Sequence, residues 1–319
     1  MARTLPKDLA TIALDDGTIV VKVLREMIFY KSDFTVDEYD ALIDLYKSYC
    51  PANRDRLFRI PELPSWSQTA APRLTMSARQ KHGKPLAEFE AVRRRISEGR
   101  WFFTKLWDGM EIDEPDGSWS LDIQRRRGED RTWLGYVRFL FPLDLPDATH
   151  VSLARDVVDT IQFISGHGGL CFTYVPERKS PAFDRIYALA RRLKGVDVED
   201  LPITLPHMRT ELKPPCWLNA IGRGSIWSKD LWRSLCSLDE RSTAQVTEGR
   251  FGLLIQLSES PELFDVNYRE LPPQSYRDFD AAISEVRLSD IGAFSGAKFG
   301  ADPEATNQWL SRFSSAQQS

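Results

Sequence analysis

The sequence predicts an α+β protein in which mixed or antiparallel sheets are covered by helices, with two related α/β modules packed as one unit. Three observations point there. Short β-branched or alternating runs lie side by side with stretches of helical spacing, so periods of two and of 3.6 residues occur in turn along the chain. The order strand, helix, strand, helix over residues 133–195 returns over 216–287. Finally, 319 residues with 42% hydrophobic composition suffice to bury a large core. The whole of 1–319 is expected to act as one domain, with 1–200 and 201–319 as candidate sub-modules.

Ile19 to Tyr30 is an alternating, β-branched run and reads as a strand. Thr35 and Glu38 then stand in capping-box register ahead of Val36, Tyr39, Ile43 and Tyr46, which opens an amphipathic helix. From Cys50 to Lys84 the prolines at Pro51, Pro61, Pro64 and Pro72 interrupt any period, and an extended surface segment is expected up to Pro85. A second helix is predicted from Leu86 to Trp107. Trp119, Leu121 and Ile123 alternate with polar residues as a short strand does, and Trp133 to Phe141 is the clearest strand. Helical spacing follows through Val151, Ala154, Val158, Ile161 and Ile164, with Gly166, Gly168 and Gly169 as its expected terminator and Leu170 to Val175 as the next strand. Ser180 and Pro181 predict a helix start, and Gly195 its stop. The second half reads as strand Cys216 to Ile221, helix Ser228 to Leu235, strand Phe251 to Leu257, a helix opened by Ser275 with Asp278 and running to Val286, and a last helix opened by Asp302 and Pro303.

The charges exclude some partners. With 42 Lys and Arg against 46 Asp and Glu, the net charge of −4 provides no single-sign field for nucleic acid or anionic lipid. Nine Trp provide rigid anchors for a core or an interface. Cys50, Cys171, Cys216 and Cys236 lie far apart and read as reduced core thiols rather than a zinc or redox motif. The stretch Met1 to Gly17 carries Lys7, Asp8, Asp15 and Asp16 and no apolar leader core, and no segment reaches the roughly 18 apolar residues of a membrane span. A cytoplasmic protein is expected.

No constellation for catalysis emerges. There is no G-x-S-x-G elbow, and Gly222-Arg223-Gly224-Ser225 lacks the Lys of a phosphate loop and reads as a turn. His82, His150, His167 and His207 show no ligand spacing, so no metal and no cofactor is expected. His167 with Cys171 could pair a base with a thiol, but the apolar run around Cys171 and helix termination at the glycines explain both more simply. Glu114, Asp116 and Gly117 sit in an EF-hand-like register that Ile112 and Ile123 break; Asp113, Glu114 and Asp116 read as a solvated acidic loop, with a partner-contacting patch as the functional alternative. Arg93 to Arg95 and Arg125 to Arg127 read as solvated faces in an otherwise acidic chain.

Trp217-Leu218-Asn219, Gly252 to Gln256, and Pro261-Glu262-Leu263-Phe264-Asp265-Val266-Asn267 followed by Leu271-Pro272 carry a pattern. It resembles the bacterial type VI secretion immunity proteins that accompany toxins with VRR-NUC or Tox-REase nuclease domains, a family first described as a domain of unknown function. Gly169 to Tyr174 and the Phe183 to Ala190 helix are similar to it too. Two positions depart: Phe264 stands where the pattern often has Gly before the Asp, and Leu238-Asp239 replaces a double Gly, which puts the local turns in question. The resemblance implies a non-enzymatic protein that binds a cognate type VI toxin in the cytoplasm and occludes its active site or substrate groove, with no direct nucleic-acid or membrane partner and with homo-oligomers allowed. Trp217, Asn219, Pro261, Asp265 and Asn267 are the family-motif residues it implies to be structural. Asp113, Glu114 and Asp116 are the toxin-contact candidates.

Overall fold

The computed structural model describes residues 11–13, 19–50, 85–107, 119–128, 132–174, 178–224, 227–268 and 271–314. The extended segment expected over 51–84 and the acidic turn with Asp113, Glu114 and Asp116 lie outside them. Among the described residues ten strands join in one sheet: β1 (Thr11–Ala13), β2 (Ile19–Lys31), β3 (Phe102–Trp107), β4 (Ser120–Arg127), β5 (Trp133–Phe141), β6 (Ser165–Tyr174), β7 (Val196–Val198), β8 (Leu218–Gly222), β9 (Gln245–Glu248) and β10 (Gly252–Gln256). Their order is β3-β4-β5-β2-β6-β8-β10-β9, with β1 on β2 and β7 on β6. Every pairing is antiparallel except that of β6 with β7, so the fold is α+β with a nearly antiparallel sheet.

Helices cover both faces because β2 is apolar on both sides. Met27 and Phe29 join one cluster while Ile28 and Tyr30 join another, as strand alternation requires. On the first side lie α1 (Val36–Tyr49), α2 (Pro85–Ser97) and α3 (Asp147–Thr160), with Tyr39, Leu42, Val92, Ala154 and Val157 packed on Phe102, Leu121, Ile123 and Phe139. On the second, α4 (Lys179–Arg192) sets Phe183 and Ile186 over Val21, Val23 and Phe172. Beyond α5 (Leu201–Thr204), α6 (Lys229–Cys236), α7 (Leu238–Arg241) and α8 (Gln274–Ala282) bury Leu231, Leu235, Leu238 and Phe279 with Leu253 and Ile255 of β10. The last helices, α9 (Ala297–Ala301) and α10 (Pro303–Leu310), return to pack Phe299 and Trp309 into the α4 cluster.

The capping box forms as the sequence predicts: Glu38 N–H donates to Thr35 Oγ1 at 3.1 Å and Thr35 N–H to Glu38 Oε2 at 2.9 Å. Ser228 caps α6 through Leu231 N–H in the same way. Other starts differ. The α4 helix begins at Lys179, ahead of Ser180, with Arg178 in the cap position. Ser275 lies inside α8, and its hydroxyl donates to Leu257 O instead of capping. Val286 falls beyond the end of that helix, at Ala282.

Two expectations fail for physical reasons. The predicted helix from Leu86 to Trp107 stops at Ser97, because Gly99 adopts φ +64° and the chain then runs on as β3, with Phe102 and Leu106 buried. The glycines at 166, 168 and 169 do not end a helix either; α3 ends at Thr160 and all three lie inside β6. Gly166 and Gly168 are there because β2 comes too close for a side chain, whereas Gly169 faces Trp217. A Cβ on Gly166 would stand 2.7 Å from Ile28 O and 2.8 Å from the Phe29 ring.

The recurring element order is present, but the strands are joined differently in the two halves. β5 and β6 flank β2, whereas β8 and β10 pair directly. The sheet runs on without a break from β6 to β8. Gly166→Ala is expected to lower stability by about 1–3 kcal/mol through overpacking against β2, read as a shift in the urea midpoint; an unchanged midpoint would show that β2 can yield there.

Candidate functional site

Chemistry-bearing side chains converge where β6 changes partners. Its first half, Ser165 to Gly168, pairs with β8, and its second, Leu170 to Phe172, pairs with β7, with Gly169 at the fork. Glu26 lies opposite Gly169 on β2, and His167 projects from β6. Asp197 belongs to β7, Glu199 follows it, and Lys213 comes from the segment leading to β8. Ligating atoms of Glu26, His167, Asp197 and Glu199 all lie within 4.8 Å of one another, and all four residues are buried. Such a donor set can hold a cation. Lys213 supplies one: its Nζ lies 2.7 Å from Asp197 Oδ2 and 2.6 Å from Glu199 Oε2, and it also reaches Val198 O.

The remaining bonds close the cluster. His167 Nε2 is 3.1 Å from Asp197 Oδ2 and 3.4 Å from Glu199 Oε2, which places its proton on Nε2. Tyr30 donates to Glu199 Oε2 at 3.2 Å, Thr204 donates to Glu199 Oε1 at 2.6 Å, and Arg138 donates to Glu26. Burial alone would raise both acidic pKa values, but the Lys213 ammonium and then His167 outweigh it and hold Asp197 and Glu199 well below the usual carboxylate range. Burial pulls Lys213 the other way, and its two carboxylates carry it above the ordinary lysine value. For His167, burial and Lys213 favour the neutral ring, yet the bonds to Asp197 and Glu199 prevail and its pKa is raised. Two carboxylates thus face a lysine and an imidazole whose charged form they favour. Asp197 Oδ1, Glu26 Oε2 and His167 Nδ1 are buried without a hydrogen-bond partner, and a water-sized void lies beside His167 and Lys213.

Access is closed. Arg312 lies 3.7 Å over the Trp309 ring and donates to Lys194 O, Trp309 O and Pro215 O, so the C-terminal turn seals the cluster from outside. The His167 and Cys171 pair does not make a nucleophile. Cys171 is fully buried, burial raises its thiol pKa well above the ordinary value, and its Sγ donates to Phe172 O.

The family-motif residues hold the neighbouring connections. Trp217 is buried and donates from Nε1 to Ser258 O at 2.8 Å, with its ring against His150. Asn219 closes the turn before β8 through both Cys216 N–H and Cys216 O. Asp265 takes three hydrogen bonds from Arg192, at 3.0, 3.0 and 2.6 Å, and accepts Asn267 N–H at 3.0 Å. Pro261 is half-buried and Asn267 exposed. Phe264 has φ +46°, so the backbone keeps a glycine-like conformation with a Phe in place. Of these, Asn219 stands directly opposite His167 in the β6–β8 pairing and so adjoins the charge cluster. Sequence reasoning missed Glu26, Asp197, Glu199 and Lys213, although charges set inside the apolar run Val196 to Val198 were a readable sign of buried pairing.

Two outcomes are expected of the cluster. Lys213→Met leaves two buried carboxylates uncompensated and should cost about 3–5 kcal/mol in urea unfolding, part of which Glu199→Gln recovers in the double variant; a loss under about 1 kcal/mol would remove Lys213 from this role. The raised His167 pKa gives stability that is complete below the unfolded value near 6.5 and is lost as pH rises through the folded value. Burial lowers His150 to about 3 and works in the opposite sense, so the contribution is read as wild type minus His167→Gln. That difference should shrink as pH rises above 6.5; a flat difference would mean the ring is neutral throughout.

The family model of TsiV, type VI immunity for VRR-NUC, matches residues 66–313. A solved type VI secretion system protein of Pseudomonas aeruginosa is similar in fold, with a TM-score of 0.72 and 19% identity over 96% of this chain and 88% of that chain. No curated protein matches the chain. The match spans the α2 helix, the His167, Asp197, Glu199 and Lys213 members of the charge cluster and the Asp265 connection, and the chain belongs to the TsiV family of type VI immunity proteins for VRR-NUC.

Proposed function

We propose that the chain acts as one immunity domain in the cytoplasm and neutralises a cognate VRR-NUC nuclease toxin by binding it and occluding its active site or substrate groove, with no reaction of its own. The family match over residues 66–313 carries this reading. The buried cluster supports it from the chemical side: its ionisable groups are paired with one another and buried behind Arg312 and Trp309, so they serve the fold rather than a substrate. Among the described residues no helix is long and apolar enough to cross a membrane.

Occlusion asks for a rigid frame, since a binder that must order itself on contact loses affinity to the entropy of ordering. The ten-stranded sheet with helices on both faces is such a frame. Asp113, Glu114 and Asp116 remain proposed as an acidic patch that steers the chain to the basic groove of a nuclease.

Co-expression of the toxin gene with and without this chain tests the function. Survival should be restored by the chain, and survival unchanged by its presence would end the reading. Reversing the charge at Asp113, Glu114 and Asp116 should slow association about tenfold at low salt while the melting temperature stays put. An unaltered association rate in stopped flow would take that patch out of the interface.

A further inference from the structure

A cavity of about 10 Å³ lies beside the charge cluster, between β2, β6 and β8 on one side and Lys213 with Phe279 on the other. One water needs roughly 10–15 Å³ of such space and two to four polar partners, whereas a cavity with only apolar walls stays dry. The chemistry of the walls therefore decides what this one holds.

Five polar side chains reach it: Tyr30, Ser165, His167, Lys213 and Asn219. Three of them are engaged elsewhere. Tyr30 donates to Glu199, Lys213 Nζ bonds Asp197, Glu199 and Val198 O, and Asn219 bonds Cys216 through both its amide oxygen and its amide nitrogen. Ser165 and His167 are different. They stand two residues apart on β6, so strand alternation sets both on one face, and each is 3% exposed. Ser165 Oγ and His167 Nδ1 are fully buried with no hydrogen-bond partner. The remaining wall, from Leu212, Ile221 and Phe279, carries no polar side chain to serve them.

His167 uses its other ring nitrogen, Nε2, on Asp197 and Glu199. The further titratable groups about the ring are Glu26, Lys213 and Tyr30, and none of them bonds Nδ1. A charged imidazole needs an acceptor at Nδ1 and a neutral one with its proton on Nε2 needs a donor there. Water can be either. We propose that the cavity is a binding site for one ordered water, hydrogen-bonded to His167 Nδ1 and to Ser165 Oγ, and that Ser165 through this water is a positioning residue for the His167 ring. A bridging water of this kind serves almost as well as a direct bond. Its bond from the charged ring is the stronger of the two it can make, so it favours the imidazolium that Asp197 and Glu199 also favour.

The test joins a high-resolution crystal structure of the full chain to a titration of the His167 ring followed by nitrogen NMR. The structure should show one water within about 3.2 Å of both Nδ1 and Oγ. Ser165→Val removes the hydroxyl and fills the space, and the His167 midpoint should fall by about one pH unit, the size of one net hydrogen bond lost from the charged form. Ser165→Ala, which adds no bulk, should move it the same way by less and keeps the test valid if the valine variant does not fold. A merely structural serine would change the melting temperature and leave the midpoint where it is. A dry cavity, a water bonded to neither atom, or an unmoved midpoint in the folded variants would each overturn the proposal.

Discussion

A lysine ammonium enclosed with two carboxylates and an imidazole, at the point where one strand exchanges partners, is the constraint to which the surrounding structure answers. Lys213 cannot leave Asp197 and Glu199 without stranding two buried charges, and they cannot leave it. That mutual dependence fixes β7 and the lead into β8 on the same strand, β6, one parallel and the other antiparallel. Where the two part, Gly169 leaves the space beside Trp217 that a side chain would fill. The C-terminal turn then covers the cluster, with Arg312 stacked on Trp309. A purely apolar junction of equal volume could be as stable, but it would not specify which strand lies where.

From that junction the second half of the chain takes its position. β8 and β10 extend the sheet, Trp217 ties the end of β10 through Ser258, and the segment after β10 turns back to the end of α4 at Asp265. A protein that works by holding another gains from this, because recognition then draws on contacts already in place.

Much of this was legible beforehand. The strand Trp133–Phe141, the capping box at Thr35 and Glu38 and the cap at Ser228 follow from local patterns, and the structure keeps them. The resemblance placed the chain in its family from the stretch around Trp217 and Asp265. The glycines at 166, 168 and 169 were misread because a glycine that ends a helix and one inside a strand look alike in one dimension; only the approach of β2 to Gly166 and Gly168, and of Trp217 to Gly169, distinguishes them. The helix drawn through Trp107 went wrong similarly, since Phe102 to Trp107 is apolar enough to continue either period. The charge cluster escaped entirely. Its members stand at 26, 167, 197, 199 and 213, and no spacing rule joins residues that far apart.

What the sequence determined by itself was local and compositional: the alternation of strand and helix, the near-balance of charge, and a motif distinctive enough to name a family. Caps, turns and periods act over a few residues, so they survive being read along a line. The tertiary structure decided which strands are neighbours, which charges are buried together, and which apolar residues were left outside. Those outcomes depend on distances between segments remote in sequence, and on the high cost of burying a charge that finds no partner.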